Sequence, residues 1–258
     1  MKAVGKRSYP ARFGGHTEAG GRMEMPSERI LADNLARVRG QIDDAARHAG
    51  RDPASIRLIA VTKYHSPEHT RMLVQAGCHD LGESRPQELW EKSALLADLP
   101  IHWHFIGHLQ RNKLARTLPL VETLHSIDSQ RLLEAIDQQA RSAGQVAAGL
   151  LEVNISGDAS KHGFTAAEVR VALESAQAMT GVRITGLMGM ASLEGGPSRA
   201  RRDFAALAAL REQLVHEVAP PQGLPELSMG MSGDFPEAIQ EGATMVRVGS
   251  ALFEGLPS

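Results

Sequence analysis

The chain of 258 residues has one cysteine, Cys78. That excludes an internal disulfide and any multi-cysteine metal cluster. Aromatic residues are scarce at 4%, too few for a stacking platform that binds single-stranded nucleic acid. Net charge is nearly absent, since 28 Lys and Arg stand against 30 Asp and Glu, giving -2. Such a balance offers no electrostatic attraction to nucleic acid or to an anionic membrane, so neither is expected as a partner. No apolar run reaches the roughly 20 residues that a membrane helix needs. What remains is 42% hydrophobic and 22% charged. That is the composition of an enzyme-sized globular protein, for which cytoplasmic residence is the expectation.

Residues 1–25 have a texture of their own. They carry Lys2, Lys6, Arg7 and Arg12 among Gly14, Gly15, Gly20 and Gly21, without the apolar core of a signal peptide. They read as a disordered extension, or as residues ahead of an alternative start at Met23 or Met25, and residues 26–258 read as one domain. Ser27 is placed to cap a helix that carries Ile30, Leu31, Leu35, Val38 and Ile42 at helical spacing and ends near Gly50. Beyond it, short apolar runs alternate with helical patterns. Strands are expected at 57–63, 79–83, 101–107, 121–127, 149–155, 182–190, 226–231 and 244–249. Helices are expected at 67–76, 85–97, 109–117, 129–142, 165–178, 197–217 and 234–241.

Local punctuation supports these elements. Ser66-Pro67 is a cap followed by proline at the first helical position. Asp128 or Ser129 can open the helix after the fourth strand, and Thr165 with Glu168 forms a capping-box pattern. Gly77, Gly144, Gly181 and Gly242 read as helix ends. Eight βα units on about 230 residues predict a single-domain (β/α)8 barrel, with an open doubly wound sheet as the alternative. Only residues 250–258 follow the eighth strand, so the first helix is expected to complete the outer ring.

Active residues of such barrels stand at the C-terminal ends of the strands. The first strand ends in Lys63 after an apolar run, which predicts an amine partly withdrawn from water and able to condense with an aldehyde. The alternative is a lysine that snorkels to solvent. Ser228-Met-Gly-Met-Ser232-Gly233 and Gly249-Ser250 are Gly/Ser clusters after strands seven and eight. Their amides and hydroxyls can cradle a phosphate, or they are tight turns that need glycine. Asp234 and Pro236 open a helix beside them. Together these features point to a carbonyl-bearing phosphate ester, handled by a lysine aldolase or a pyridoxal phosphate (PLP) site.

At this point the residues reach a family. Ala60-Val-Thr-Lys63, Gly82-Glu83, Gln87-Glu88, Trp103-His-Phe-Ile-Gly-His-Leu-Gln110-Arg-Asn-Lys113 and His125-Ser-Ile-Asp128 match it in order. So do Glu152-Val-Asn-Ile-Ser156, Ser160-Lys-His-Gly-Phe164, Gly186-Leu-Met, Leu227-Ser-Met-Gly-Met-Ser232 and Val246-Arg-Val-Gly-Ser-Ala-Leu-Phe253. From about residue 28 to 255 the chain resembles the PLP homeostasis protein family, also called proline synthase co-transcribed homologues. The resemblance implies a single-domain barrel of PLP fold type III, similar to the N-terminal domain of alanine racemases. It implies that Lys63 holds PLP as a Schiff base and that Arg247 meets the pyridine nitrogen. Ser232, Gly249 and Ser250 would form the phosphate cradle, and Asn154 and His104 would line the pocket. The implied role is that of a non-catalytic carrier or regulator of PLP, with apo PLP-dependent enzymes as acceptors. Ser84 and Pro86 depart from the family pattern, as do Tyr64 and His65, so contacts at that rim of the pocket are open.

Other readings compete. His102 and His104 form His-x-His on one strand face, yet no convincing further ligand set accompanies them. No metal is therefore expected. Lys161, in the loop after the fifth strand, is either a solvated lysine or a second amine for the PLP aldehyde. Met188 and Met190 are expected to fill barrel layers, Cys78 to be a small buried hydrophobe, and Arg199, Arg201, Arg202 and Asp203 to form a solvated helix face. An amino-acid racemase is the alternative enzyme. Racemases of this type draw a catalytic tyrosine from an additional domain, for which the length leaves no room. Tyr64, next to a strand lysine, is expected to face away from it. A cofactor-free Schiff-base aldolase is the third reading.

Overall fold

The computed structural model describes residues 26–157, 162–192 and 194–256. Residues 1–25 and Lys161 lie outside the described residues. Eight parallel strands carry the fold: β1 (Arg57–Val61), β2 (Asp80–Glu83), β3 (His102–Phe105), β4 (Thr123–Ile127), β5 (Ala147–Val153), β6 (Val182–Gly189), β7 (Glu226–Ser228) and β8 (Met245–Val248). They close in chain order. The closing contact pairs Arg57 with Met245 and runs through Ala60 with Val248, which excludes the open sheet. Helices α2 (Pro67–Gln75), α3 (Pro86–Leu95), α4 (Leu114–Thr117), α5 (Gln130–Ser142), α6 (Ala166–Ala176), α7 (Gly196–Val218) and α8 (Phe235–Gln240) lie between the strands.

The first helix, α1 (Pro26–His48), buries Leu31, Leu35, Val38, Ile42, Ala45 and Ala46. It packs between α8 and α2 and so completes the ring. Asn34 Nδ2 donates to the carbonyls of Leu252 (3.1 Å) and Glu254 (2.8 Å), which ties α1 to the segment after β8. Ser27 is not the cap expected of it. Pro26 already belongs to the helix, where its fixed φ and missing N–H suit the first turn.

Caps elsewhere follow the local chemistry. Ser66 Oγ accepts from the His69 amide at 3.3 Å, and Thr165 and Glu168 close a reciprocal capping box. Ser129 precedes α5, but its hydroxyl turns to Asp128 Oδ1 at 3.1 Å rather than to a helix amide. The helix expected over 109–117 is a 3-10 turn at Arg111–Lys113 followed by the single turn of α4. Gly77, Gly144 and Gly242 have positive φ as helix ends require, whereas Gly181 does not. Gly181 is needed for proximity instead, since a Cβ there would lie 2.3 Å from the Asp137 carbonyl oxygen.

Most apolar side chains fill the layer between sheet and helices. A small second cluster of Ile59, Leu150, Met188 and Met245, with Met190 against it, lies inside the barrel. Cys78 is buried, and that burial pushes its thiol up to about 11, as befits an inert packing residue. Among the described residues, no helix is long and apolar enough to cross a membrane.

Candidate functional site

β1 ends at Val61, so Lys63 stands two residues beyond the strand, in a turn. Its side chain is exposed rather than withdrawn from water as expected. Lys63 and Tyr64 form a turn that the His65 amide closes by donating to the Thr62 carbonyl at 3.0 Å, with Tyr64 at a φ of 69°. The same turn overturns the expectation that Tyr64 faces away from Lys63. Alternation holds only on a regular strand, and here Lys63 Nζ lies 5.7 Å from the centroid of the Tyr64 ring. Arg85 stacks on that ring as well, at 5.1 Å.

Two contacts dock this turn onto the segment after β8. The imidazole of His65 lies parallel to the Phe253 ring, with centroids 3.5 Å apart. Gly249 abuts the end of β1, where a Cβ would meet Val61 at 3.4 Å. Ser232, from the β7–α8 loop, reaches the same place. Its Oγ accepts from the amides of Gly249 (3.2 Å) and Ala251 (3.5 Å). Ser250 opens a 3-10 turn between them. The structure thus brings Ser232, Gly249 and Ser250 together beside the Lys63 turn. Ser228, part of the same sequence cluster, lies elsewhere.

Ser228 serves Arg247. Nη1 of Arg247 donates to the carbonyl (2.7 Å) and hydroxyl (2.5 Å) of Ser228, and Nη2 donates to the Gly189 carbonyl at 3.1 Å. Burial lowers the guanidinium to about 10, while Glu152 and Asp234 oppose that shift. It therefore stays charged at neutral pH. Glu152 pairs in register with Met188 and lies two residues after Leu150, both in the interior cluster, so it faces into the barrel. Burial, then the charge of Asp128, raises its carboxyl to about 7. In the sequence Glu152 stands out only as the first residue of the matched Glu152–Ser156 segment, and its burial becomes visible only in the closed barrel.

Asn154 follows β5 on the same face of the barrel as the other strand ends, and its backbone N–H donates to the Phe164 carbonyl at 3.0 Å. His104 sits deeper. Its side chain is fully buried, and both ring nitrogens are engaged, with His125 at 3.0 Å and Asp80 at 3.2 Å. His125 stands between it and Ser228, so His104 reaches the Arg247 environment only through that second histidine. His102 shares its strand face but lies exposed at the N-terminal rim.

Among the described residues, two groups place His and carboxylate atoms within 4.8 Å of one another: His108, Asp128 and His162, and Asp80, His104 and Glu122. Each contains an ordinary hydrogen bond, His108 to Asp128 at 2.6 Å and His104 to Asp80. Arg201 and Arg202 are exposed, as expected of a solvated helix face, and only Asp203 departs from it. Asp203 is buried, pairs with Arg199 at 2.9 Å and accepts the Ser192 amide at 2.9 Å, which anchors the loop after β6.

The family model for the alanine racemase N-terminal domain matches residues 34–257. A pyridoxal phosphate homeostasis protein of Pseudomonas aeruginosa is 41% identical over 224 residues, which is 86% of this chain and 94% of that protein. The structure of PipY from Synechococcus elongatus with PLP bound superposes with a TM-score of 0.77 at 37% identity, covering 86% of this chain and 99% of that one. An alanine racemase of Clostridium difficile shares the fold at a TM-score of 0.66 and 16% identity, and this chain spans 58% of it. With the barrel, the strand-end lysine and these matches in place, the chain belongs to the pyridoxal phosphate homeostasis protein family, built on the alanine racemase N-terminal-domain fold.

Proposed function

We propose that this protein binds PLP at Lys63 and acts in PLP homeostasis as a carrier or regulator rather than as an enzyme. One observation carries the reading. Two backbone amides, of Gly249 and Ala251, converge on the single oxygen of Ser232, and the turn bearing Lys63 is docked against them. Converging amides with a hydroxyl are a cradle for a phosphate oxygen. An exposed primary amine beside them suits an aldehyde. The buried Arg247 suits a pyridine nitrogen. The three groups fit the three functional parts of PLP.

When bound, PLP supplies an aldehyde that condenses with amines and a ring that draws electrons. The remaining chemistry belongs to the chain. Lys63 provides the amine. Ser232 and the amides of Gly249 and Ala251, which are bonded to one another in the structure, would turn to the phosphate end. Arg247, charged and carrying only donors, offers a proton to the ring nitrogen and cannot accept one. A carboxylate there would favour the protonated, more electron-withdrawing ring. Its replacement by a guanidinium disfavours carbanion chemistry and supports storage over turnover. Release would then proceed by exchange with free amines or with apo PLP-dependent enzymes.

The test is direct. The purified protein should take up PLP with a visible absorption band that Lys63→Ala loses or alters. PLP at a hundredfold excess over its Kd should stabilise the fold by about 2.7 kcal/mol. A protein that stays colourless and whose melt ignores PLP would refute the binding. Robust turnover of any one amino acid in a panel would refute the carrier role.

A second reading has one observation in its favour. Tyr64 stands beside Lys63 at the barrel mouth, where a phenol could exchange protons. In that reading the protein is a PLP enzyme of the racemase kind.

A further inference from the structure

A line of polar side chains runs through the barrel interior. Asp80 Oδ1 lies 3.2 Å from His104 Nε2, His104 Nδ1 lies 3.0 Å from His125 Nε2, and His125 Nδ1 lies 2.8 Å from Ser228 Oγ. Ser228 Oγ in turn accepts from Arg247 Nη1. His104, His125 and Ser228 are fully buried. The bond from His125 to Ser228 crosses the lumen between β4 and β7, strands that are not neighbours, and joins residues 103 positions apart.

The two ends of this line are charged, and they impose one direction on it. An ionised carboxylate only accepts, so His104 must carry its proton on Nε2. As a neutral ring, His104 then accepts at Nδ1 and requires a proton on His125 Nε2. His125 accepts at Nδ1 from the Ser228 hydroxyl. From the other end, Arg247 can only donate, so it takes one lone pair of Ser228 and leaves the serine proton free to face His125. The carboxylate end dictates the two tautomers, and the arginine end is compatible with them. The charges agree with this. Burial opposes ionisation of Asp80, yet the His104 bond, with Arg57 and His102 nearby, outweighs it and holds the carboxyl below its ordinary value. Burial, with the charges of Arg247 and Arg57, holds His125 well below the usual imidazole range and keeps it neutral.

We propose that Asp80, at the N-terminal end of β2, is a distal positioning residue for Arg247. Acting through His104, His125 and Ser228, it sets a one-directional donor chain that fixes the Ser228 hydroxyl as an acceptor and so orients the guanidinium. The chain of tautomers stands on its own. Its consequence for PLP rests on the function proposed above.

Nitrogen-15 NMR of the imidazoles in the PLP-free protein tests the chain first. His104 and His125 should each show a protonated Nε2 and a bare Nδ1. Either ring with both nitrogens protonated, or protonated at Nδ1 alone, overturns the proposal whether or not PLP binds. Asp80→Ala should erase the single tautomer of His125. In the PLP-loaded protein it should shift the absorption maximum of the bound cofactor while borohydride still fixes the label on Lys63. Asp80→Asn keeps an acceptor oxygen and should restore both signals. Should Asp80→Ala fail to fold, Ser228→Ala breaks the same chain from its other end and should also erase the His125 tautomer. A folded Asp80→Ala protein with parental tautomers and an unshifted band overturns the positioning role. A parent protein that binds no PLP but shows both tautomers sinks the function above and leaves the chain intact.

Discussion

Lys92 Nζ lies 2.8 Å from the carbonyl oxygen of Thr62, the residue just before Lys63. The same ammonium pairs with Glu83 Oε1 at 2.5 Å, and the Thr62 hydroxyl donates to that oxygen at 2.7 Å. Both charged side chains are essentially buried, at 5% and 0% exposure. The cluster fixes the end of β1 to α3 and with it the base of the Lys63 turn. Breaking a buried pair strands one charge, so Lys92→Met should destabilise the protein by about 3–5 kcal/mol, whereas Glu83→Leu/Lys92→Met together should recover most of that loss. Urea unfolding of the two variants reads the difference. A single variant as stable as the parent would show that the pair does not hold this end of the barrel.

Glu152 predicts a pH dependence. Its carboxyl titrates near 4.5 when unfolded and is raised to about 7 by burial and by Asp128. Between those values the folded state binds more protons than the unfolded one, so stability falls as pH rises through this window. Below it both states are protonated and the penalty is absent. Above it the full penalty applies, on the order of 3 kcal/mol. Glu152→Gln should therefore gain stability over the parent on going from pH 5 to pH 8. Denaturant midpoints at the two pH values measure this, and a constant gap between the two proteins would contradict it.

The barrel is legible in the sequence because strands buried on both faces read as short apolar runs, and the helices between them keep their periodicity and caps. Gly249, Ser250 and Ser232 are legible as a Gly/Ser cluster after the last strands. The end of β1 is not. Thr62 and Lys63 continue a plausible strand, and a left-handed residue at Tyr64 has no local signature, since glycine or asparagine would be the usual choice there. Nor can the sequence pair His125 with Ser228. That contact exists only because the sheet closes and brings β4 and β7 across one lumen. His104 follows the same logic, for its depth depends on the strand register with β2 and not on its neighbours in sequence.

Gly230 shapes the loop that delivers Ser232. Its φ is 91°, and a Cβ there would lie 2.6 Å from Ala238 Cβ and 2.9 Å from Phe235 Cα. Gly230→Ala meets both penalties at once, of which the left-handed backbone alone costs about 1–2 kcal/mol. Relief requires the loop to move away from α8 and to take Ser232 with it. The variant should melt lower and hold PLP several-fold more weakly than the parent. A variant that melts lower with unchanged PLP affinity would mean that the loop absorbs the strain without shifting Ser232.

Tyr64 separates storage from catalysis. Its ring is 70% exposed, and it stacks with Arg85 and sits beside Lys63. Those contacts use the aromatic face, which phenylalanine also provides. Cation–π attraction at so exposed a site is worth about 0.5–1 kcal/mol, and it survives the loss of the hydroxyl. Tyr64→Phe should therefore leave PLP uptake, the visible spectrum and the melt as they are in the parent. A racemase would lose the proton that the phenol supplies. If the parent shows measurable exchange of the α-hydrogen of an amino acid in deuterated water and Tyr64→Phe abolishes it, the hydroxyl is doing chemistry and the storage role fails. Equal, negligible exchange in both proteins is the outcome that the proposed storage role predicts.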